Sequence, residues 1–268
     1  MNIVVCVKQV PATQKVDVDP VTGVLKRDGI ETKMNPYDLY AMETAIQIRK
    51  KTGAEIHVIT MGPPSAKAVL KEAFALGAQE GWLLTDRKFA GADVLATSYA
   101  IAEGISQIKD VDLILCGKQT TDGDTAQVGP EMAEVLGIPH ISWVTELIDA
   151  DDKGLTVKQD LTEVEAVARI QYPCLITVEK GIFQPNLPSY KRMVASADYP
   201  IHTLTAADCK GLDPKRIGLN GSPTQVERIF TPTHDVSTVR WEGNETDSAE
   251  RLFSTLKEEK FWEGGNQK

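Results

Sequence analysis

Residues 116–130 bring glycine, hydroxyl, amide and carboxylate side chains together in one polar segment. The segment reads Cys-Gly-Lys-Gln-Thr-Thr-Asp-Gly-Asp-Thr-Ala-Gln-Val-Gly-Pro and lies between the apolar run 111–115 and the helical pattern 131–136. A strand therefore delivers a polar loop to the start of a helix, the junction at which open α/β sheets bind nucleotides. The loop matches neither the P-loop motif nor the dinucleotide motif G-x-G-x-x-G. Spacing alone leaves nucleotide binding and an ordinary tight turn as alternatives.

The small and acidic residues of this loop decide which ligand it can hold. Asp124, followed by Gln127 three residues later, resembles a capping box and predicts the start of the helix there. A helix N-terminus offers free N–H groups and a partial positive charge to a phosphate. Because Asp122 and Asp124 repel a phosphate, the backbone amides with Thr125 and Ala126 would have to bind it. The glycines that permit a close backbone approach to a ligand are Gly117, Gly123 and Gly129.

The elements around the loop predict an α/β fold with a mostly parallel sheet and flanking helices. Apolar runs rich in β-branched residues predict strands at 3–7, 55–60, 81–84 and 111–116. Apolar residues at helical spacing predict helices at 36–51, 65–76 and 92–108. Strands that alternate with helices are typical of a parallel sheet.

The period of the apolar residues changes after Trp143. Residues 156–161 and 163–170 alternate strictly between apolar and polar, which predicts an added antiparallel, half-exposed hairpin. The apolar run 173–178 then predicts a strand that returns to the main sheet.

A long tail follows this core. We predict a nucleotide-binding domain at 1–193 and an extended C-terminal arm at 194–268, in which 248–261 has the pattern of an amphipathic helix. A tail with apolar anchors and little core of its own packs on something else. Both the same chain's core and a partner subunit are candidates.

Composition excludes several functions. The formal net charge of −9, from 38 acidic and 29 basic residues, argues against a nucleic-acid partner. The four cysteines are far apart and form no C-x-x-C pair, which favours reduced thiols. The N-terminal apolar run 3–7 is too short for a signal peptide or a membrane span, so we expect a cytoplasmic protein. The four histidines occur singly, without the spacing of metal ligands or of a catalytic triad.

Five segments of the chain resemble the β (small) subunit of electron transfer flavoproteins. The longest is Gly-Lys-Gln-Thr-Thr-Asp-Gly-Asp-Thr-Ala-Gln-Val-Gly at 117–129. The others are Val-Lys-Gln-Val at 7–10, Met-Asn-Pro-Tyr at 34–37, Met-Gly-Pro at 61–63 and Leu-Gly-Ala at 76–78. They occur in the order and spacing of that family, and the resemblance as a whole covers almost the whole chain.

The resemblance implies an adenine nucleotide in a domain of the adenine-nucleotide α-hydrolase type, and an arm that embraces a separate α subunit. In the common members the nucleotide is a structural AMP, and in the flavin-bifurcating branch it is a second FAD. Residues 122–129 and 92–98 resemble the bifurcating version. That version takes electrons from NADH and passes them to ferredoxin and, through the α-subunit FAD, to an acyl-CoA or other dehydrogenase or reductase.

The resemblance also implies which residues touch the cofactor. Thr97 is expected to reach the isoalloxazine ring. The other implied contacts are Cys6, Asn35, Pro36, Tyr37, Asp38, Met61, Gly117, Lys118, Gln119, Thr120, Thr121, Asp122, Gly123, Asp124, Thr125, Ala126, Gln127 and Val128. No catalytic side chain and no metal are expected, because a flavin supplies the redox chemistry itself.

One segment departs from the family. Its members often carry an exposed leucine followed by a lysine-rich stretch after the last core strand, whereas residues 184–197 place Tyr190 near the leucine position and contain no lysine run. This favours a different or permanently attached oxidoreductase over the usual acyl-CoA dehydrogenases. Two alternatives stay open: a non-bifurcating subunit with AMP, and a stand-alone nucleotide-binding protein of the stress type. The long arm and the absence of a Ser-Gly-Gly loop after the first strand disfavour the latter.

Overall fold

The computed structural model describes residues 1–12, 31–227 and 238–261. Contacts divide the chain into a compact unit, Met1–Ile229, and a smaller one, Phe230–Lys268. The predicted division into a domain at 1–193 and an arm at 194–268 stays a prediction. Whether the arm wraps a partner subunit stays a prediction.

The strands of the described residues are β1 (Asn2–Cys6), β2 (Gln9–Pro11), β3 (Thr32–Met34), β4 (Glu55–Met61), β5 (Glu80–Leu84), β6 (Val111–Gly117), β7 (His140–Ala150), β8 (Gly154–Asp160), β9 (Glu165–Gln171), β10 (Cys174–Val178) and β11 (Ile201–Leu204). Nine of them form one sheet in the order β11-β5-β4-β1-β6-β10-β7-β8-β9, and β2 and β3 form a second sheet. The seven strands from β11 to β7 in this order are parallel, and β8 is antiparallel to both of its neighbours, β7 and β9.

The α-helices of the described residues alternate with the parallel strands, which confirms the predicted fold class. They are α1 (Pro36–Thr52), α2 (Lys67–Leu76), α3 (Val94–Ile105), α4 (Val128–Leu136), α5 (Tyr190–Ala195) and α6 (Glu245–Glu258). In the described segments, no helix has both the length and the apolar character that a membrane crossing requires.

Alternate residues of the parallel strands build two separate cores because successive side chains of a strand point to opposite faces. On one face, Ile3 and Val5 of β1 pack with α1 and α2. On the other, Val4 packs with α3 and α4. Continuous apolar strands covered by helices on both faces are what the β-branched runs predict.

The two ends of the sheet differ in what the sequence revealed. The hairpin β8–β9 and the return of β10 to the main sheet are confirmed. Strand β11, in contrast, pairs in parallel with β5 although no strand was predicted there. Its His202 shares Glu80 with His57 of β4, at 2.5 and 2.8 Å, and stacks on Trp82 with ring centroids 4.3 Å apart. Four residues with one strand partner give too little periodicity to be recognised in a sequence.

The strand order reverses direction beside β1. The chain passes from β1 outwards through β4 and β5 on one side, whereas β6 and β10 lie on the other. In doubly wound sheets, ligands bind outside the carboxyl ends of the strands at such a switch point. The crevice above the carboxyl ends of β1 and β6 is therefore where a ligand is expected.

Candidate functional site

The predicted contact residues lie at the carboxyl edge of the parallel sheet. Cys6 ends β1, Met61 ends β4 and Gly117 ends β6. The remaining ones lie where α1, α3 and α4 begin and in the connection 118–127. The fold thus gathers at one edge residues that are up to about 120 positions apart in the chain.

Asn35 joins the start of α1 to the loop after β6. Its side-chain Nδ2 donates to the Gln119 carbonyl and to Asp38 Oδ1, both at 2.9 Å. Its Oδ1 accepts a 3.2 Å hydrogen bond from the Thr121 backbone N–H. Asn35 followed by Pro36 is typical of a helix N-cap, but the side chain is used for these bonds and does not cap α1 among the described residues. Asn35 is fully buried, so it serves as an internal strut for the loop.

Asp38, in the first turn of α1, is the buried acid of the site. Its Oδ2 accepts a 2.7 Å hydrogen bond from the Lys8 backbone N–H, and its Oδ1 binds Asn35. Burial raises the pKa of Asp38 to about 7, against the lowering effect of these hydrogen bonds and of the Lys8 charge. A carboxyl with this pKa is partly protonated near neutral pH.

Lys8 neutralises one of the two acids of the loop. Its Nζ lies 2.8 Å from Asp122 Oδ1. Burial alone would raise the pKa of Asp122, but the hydrogen bond and charge of Lys8 outweigh it and lower that pKa. Both side chains are substantially exposed, and such a pair is worth at most about 1 kcal/mol. Lys8 lies just after the end of β1 and was not among the predicted contact residues.

Asp124 serves the loop rather than the helix that follows. Its carboxylate accepts a hydrogen bond from Gln119 Nε2, and its backbone N–H donates to the Thr120 carbonyl at 2.9 Å. Asp124 and Ala126 both have left-handed backbone, with φ of 58° and 56°. Non-glycine residues in that region are uncommon, and several of them in one loop are typical of functional sites.

The predicted capping box at Asp124 and Gln127 is wrong. Helix α4 begins at Val128, and its N-cap Gln127 makes no side-chain capping hydrogen bond to any described residue. Asp124 cannot reach the helix because its left-handed backbone turns the chain away and its carboxylate is held by Gln119. Pro130 has no N–H and the Glu131 N–H donates to the Gln127 carbonyl at 3.1 Å, so the first turn of α4 offers an anion the N–H groups of Val128 and Gly129, which Gln127 does not cap.

Two of the three loop glycines are also required by packing inside the protein, and the approach of all three to a ligand stays a prediction. A Cβ on Gly117 would lie 2.7 Å from Asp38 Oδ1 and from Tyr37, so this glycine lets α1 approach β6. A Cβ on Gly129 would lie 2.5 Å from Thr177 Cγ2, so this glycine lets α4 approach β10. Only Gly123 lies away from such contacts, with Thr120 Oγ1 at 3.3 Å.

A second cluster at the same edge was not predicted. Lys118 Nζ lies 2.7 Å from Glu179 Oε2 and 5.0 Å from the centroid of the Trp143 ring. Trp143 has left-handed backbone, with φ of 60°, at an irregularity in the pairing of β7 with β10. Glu179 directly follows β10, and this position at the carboxyl edge of the sheet could have indicated it from the sequence. The charge of Lys118 is thereby compensated within the protein.

Thr97 lies in the first turn of α3, beside the start of α4. The neighbouring Ser98 Oγ is 3.2 Å from Glu131 Oε2 of α4 and ties the two helices together. The predicted contact between Thr97 and a flavin stays a prediction. The same holds for the cofactor contacts of the other predicted residues.

The fold and this edge place the chain in the doubly wound α/β class, whose members bind ligands at the switch point of the sheet. Residues 22–208 match the electron transfer flavoprotein domain. The chain is 42% identical over 266 residues to the electron transfer flavoprotein subunit beta of Clostridium acetobutylicum, covering 97% of this chain and all of that protein. The chain belongs to the electron transfer flavoprotein family.

Two other relatives extend the comparison. The caffeyl-CoA reductase-Etf complex subunit CarD of Acetobacterium woodii is 43% identical over 233 residues, 87% of this chain and 88% of that protein. Protein FixA of Sinorhizobium fredii is 41% identical over 239 residues, 87% and 84% of the two chains. The resemblance to β subunits, and with it a role in electron transfer, is thus confirmed. Assignment to the bifurcating branch stays a prediction.

Proposed function

We propose that the chain is the β subunit of a flavin-bifurcating electron transfer flavoprotein. It binds FAD at the carboxyl edge of the sheet and pairs with an α subunit that holds a second FAD. Electrons from NADH pass to ferredoxin and, through the α-subunit FAD, to a dehydrogenase or reductase. When bound, FAD supplies the chemistry by accepting a hydride and releasing electrons singly.

The observation that carries this proposal is the uncapped N-terminus of α4, described above, at the switch point of the sheet. The helix dipole and the free N–H groups favour a phosphate there. Of the two acids that would repel it, Asp122 is neutralised by Lys8, and the carboxylate of Asp124 is held by a hydrogen bond from Gln119. The residues present therefore fit the phosphate end of an adenine nucleotide.

The small residues of the loop support a diphosphate. Ala126 carries only a methyl group at a left-handed position, and Gly123 leaves the neighbouring backbone uncovered. Asn35 fixes the carbonyl of Gln119 and the N–H of Thr121, so the loop is held in shape before a ligand arrives. A preformed site loses less conformational entropy on binding.

One observation favours AMP as a second candidate. The two lysines nearest the loop, Lys8 and Lys118, are both paired with carboxylates, Asp122 and Glu179. Neither lysine is therefore free to neutralise a second phosphate. A single helix N-terminus on its own suits one phosphate better than two. This is the arrangement expected of a non-bifurcating β subunit.

The segment after β10 is proposed to bind the redox partner. Leu187 is 89% exposed and Tyr190 76% exposed. The segment is nevertheless anchored: Glu43 of α1 accepts a hydrogen bond from Asn186 Nδ2 at 2.8 Å, and Arg192 donates to the Leu76 carbonyl at 2.7 Å. An anchored segment that exposes apolar side chains is suited to docking another protein.

The decisive experiment is the cofactor content of the purified complex with the α subunit, measured by chromatography of the released flavin and nucleotide. We expect two FAD and no AMP for each heterodimer, together with NADH-dependent reduction of ferredoxin. One FAD and one AMP would instead establish the non-bifurcating candidate.

A matched variant separates docking from cofactor binding. Leu187→Ser is expected to keep the full cofactor content and to slow electron transfer to the partner dehydrogenase or reductase at least tenfold. An unchanged rate would remove this segment from the docking surface and leave the cofactor assignment intact.

A further inference from the structure

The switch point of the sheet carries two cysteines that electron transfer through a bound flavin does not use. Cys6 is the last residue of β1, and Cys116 lies directly in register with it on β6. Residues in register on neighbouring parallel strands point to the same face. Both thiols accordingly face the core between the sheet, α3 and α4.

The spacing of the two cysteines suits a disulfide. Cα atoms of register partners on adjacent strands lie about 5 Å apart, within the roughly 4.4–6.8 Å that disulfides span. A bond between the sulfur atoms therefore requires no separation of the strands.

The two thiols differ in reactivity. Cys116 is buried beneath the first turn of α4, where a Cβ on Gly129 would lie 3.7 Å from its own Cβ. The hydrogen bond with Cys6, and then burial, raise the pKa of the Cys116 thiol, which keeps it protonated. Cys6 is only partly buried and lies at the carboxyl end of β1. Since the thiolate is the nucleophile, Cys6 reacts first and Cys116 resolves.

We propose that Cys6 and Cys116 form a thiol–disulfide pair at the floor of the nucleotide crevice, which oxidises when the crevice is empty and is shielded when a nucleotide fills it. The identity of the shielding ligand rests on the proposed function. The pairing of the thiols rests on the register of β1 and β6 alone.

The oxidant is a small organic disulfide. The Cys6 thiolate attacks one of its sulfur atoms and releases one equivalent of the small thiol, leaving a mixed disulfide on Cys6. The Cys116 thiol then gives up its proton to the departing thiolate as its sulfur attacks the Cys6 sulfur, and the second equivalent of the small thiol is released. The two cysteines lose two protons and two electrons, and the small disulfide gains them as two thiols.

The test treats the complex with hydroxyethyl disulfide, before and after its nucleotide is removed, and quantifies the products by alkylation and peptide mass spectrometry. We expect the Cys6–Cys116 bond in the emptied complex and at least tenfold slower formation after AMP or FAD is restored. Cys116→Ser should stop at the mixed disulfide on Cys6. Cys209→Ser, at a buried cysteine with no register partner, is the matched control and should leave the bond unchanged.

Two results would overturn the proposal. Absence of the bond in the emptied wild-type complex would show that the thiols do not pair. Equal rates with and without nucleotide, when binding is verified separately by calorimetry, would show that the crevice does not shield Cys6. Failure of any nucleotide to bind would instead reject the proposed function, while formation of the bond still decides the pairing.

Discussion

The starts of α3 and α4 occupy equivalent places after parallel strands, yet they are built in opposite ways. At α3, Asp93 caps the helix through a 3.0 Å hydrogen bond from the Ala96 N–H, and its other oxygen accepts from the N–H and hydroxyl of Thr224 at 3.0 and 2.7 Å. At α4, the N-cap Gln127 provides no such bond among the described residues. A closed helix start contributes stability, whereas an open one leaves its N–H groups for a ligand.

The largest effect expected at the open junction is a change in the pH dependence of stability. The unfolded Asp38 loses its proton near pH 3.8 and the folded one near pH 7, so the folded state binds more protons between these values. The free energy of unfolding should therefore fall as pH rises through this range, by up to about 4 kcal/mol. In Asp38→Asn, urea denaturation at several pH values should show this fall removed. An unchanged slope would mean that another group causes it.

Loss of the strut should damage the open junction next most strongly. Asn35→Ala deletes three hydrogen bonds that shape the loop, and buried unsatisfied partners cost about 1–3 kcal/mol each. Part of this loss destabilises the nucleotide-free protein as well and does not affect binding. We therefore expect AMP affinity, measured by calorimetry, to fall roughly 10- to 100-fold. The control Asn244→Ala removes the cap of α6 and should leave affinity unchanged. An unaltered AMP affinity in Asn35→Ala would show that the shape of the loop does not determine ligand binding.

At the closed junction, removal of the cap should affect stability alone. Asp93→Ala is expected to lower the free energy of unfolding by about 1–2 kcal/mol with no change in AMP affinity. Burial would raise the pKa of Asp93, but its hydrogen bonds outweigh burial and lower it, so this stabilisation is present above about pH 4 and is lost as pH falls. Denaturation at pH 7 and pH 3 measures both. Weaker AMP binding would place the start of α3 in the site.

The smallest effect should come from closing the open junction. Gln127→Ser supplies α4 with a side-chain acceptor for the Gly129 N–H, since Pro130 at the next position has none, and should stabilise the nucleotide-free protein by up to about 1 kcal/mol. The new acceptor competes with phosphate for that N–H, so AMP should bind up to about tenfold more weakly. Gln127→Ala is the control for loss of the amide. A stabilised variant that binds AMP normally would show that the phosphate does not use the start of α4.

The sequence predicted the main elements and the edge at which they converge, because continuous apolar strands and amphipathic helices leave periodic patterns. It could not predict how polar groups pair across that edge. The side chain of Asn35, at the start of α1, bonds to the loop after β6 instead of capping its own helix, and Asp124, predicted as part of a capping box, binds Gln119. A local pattern shows that a side chain can bond, whereas the nearest partner depends on which strand ends meet in space.

The sequence by itself determined the fold class, the strand-to-helix loop at 116–130 and, through five ordered segments, membership of the electron transfer flavoprotein family. The tertiary structure decided three things that neighbours in the chain do not encode. It placed β11 at the edge of the sheet, left α4 uncapped, and set Cys6 in register with Cys116. Strand order and register arise from packing between distant residues, whereas periodicity and motifs are properties of adjacent ones.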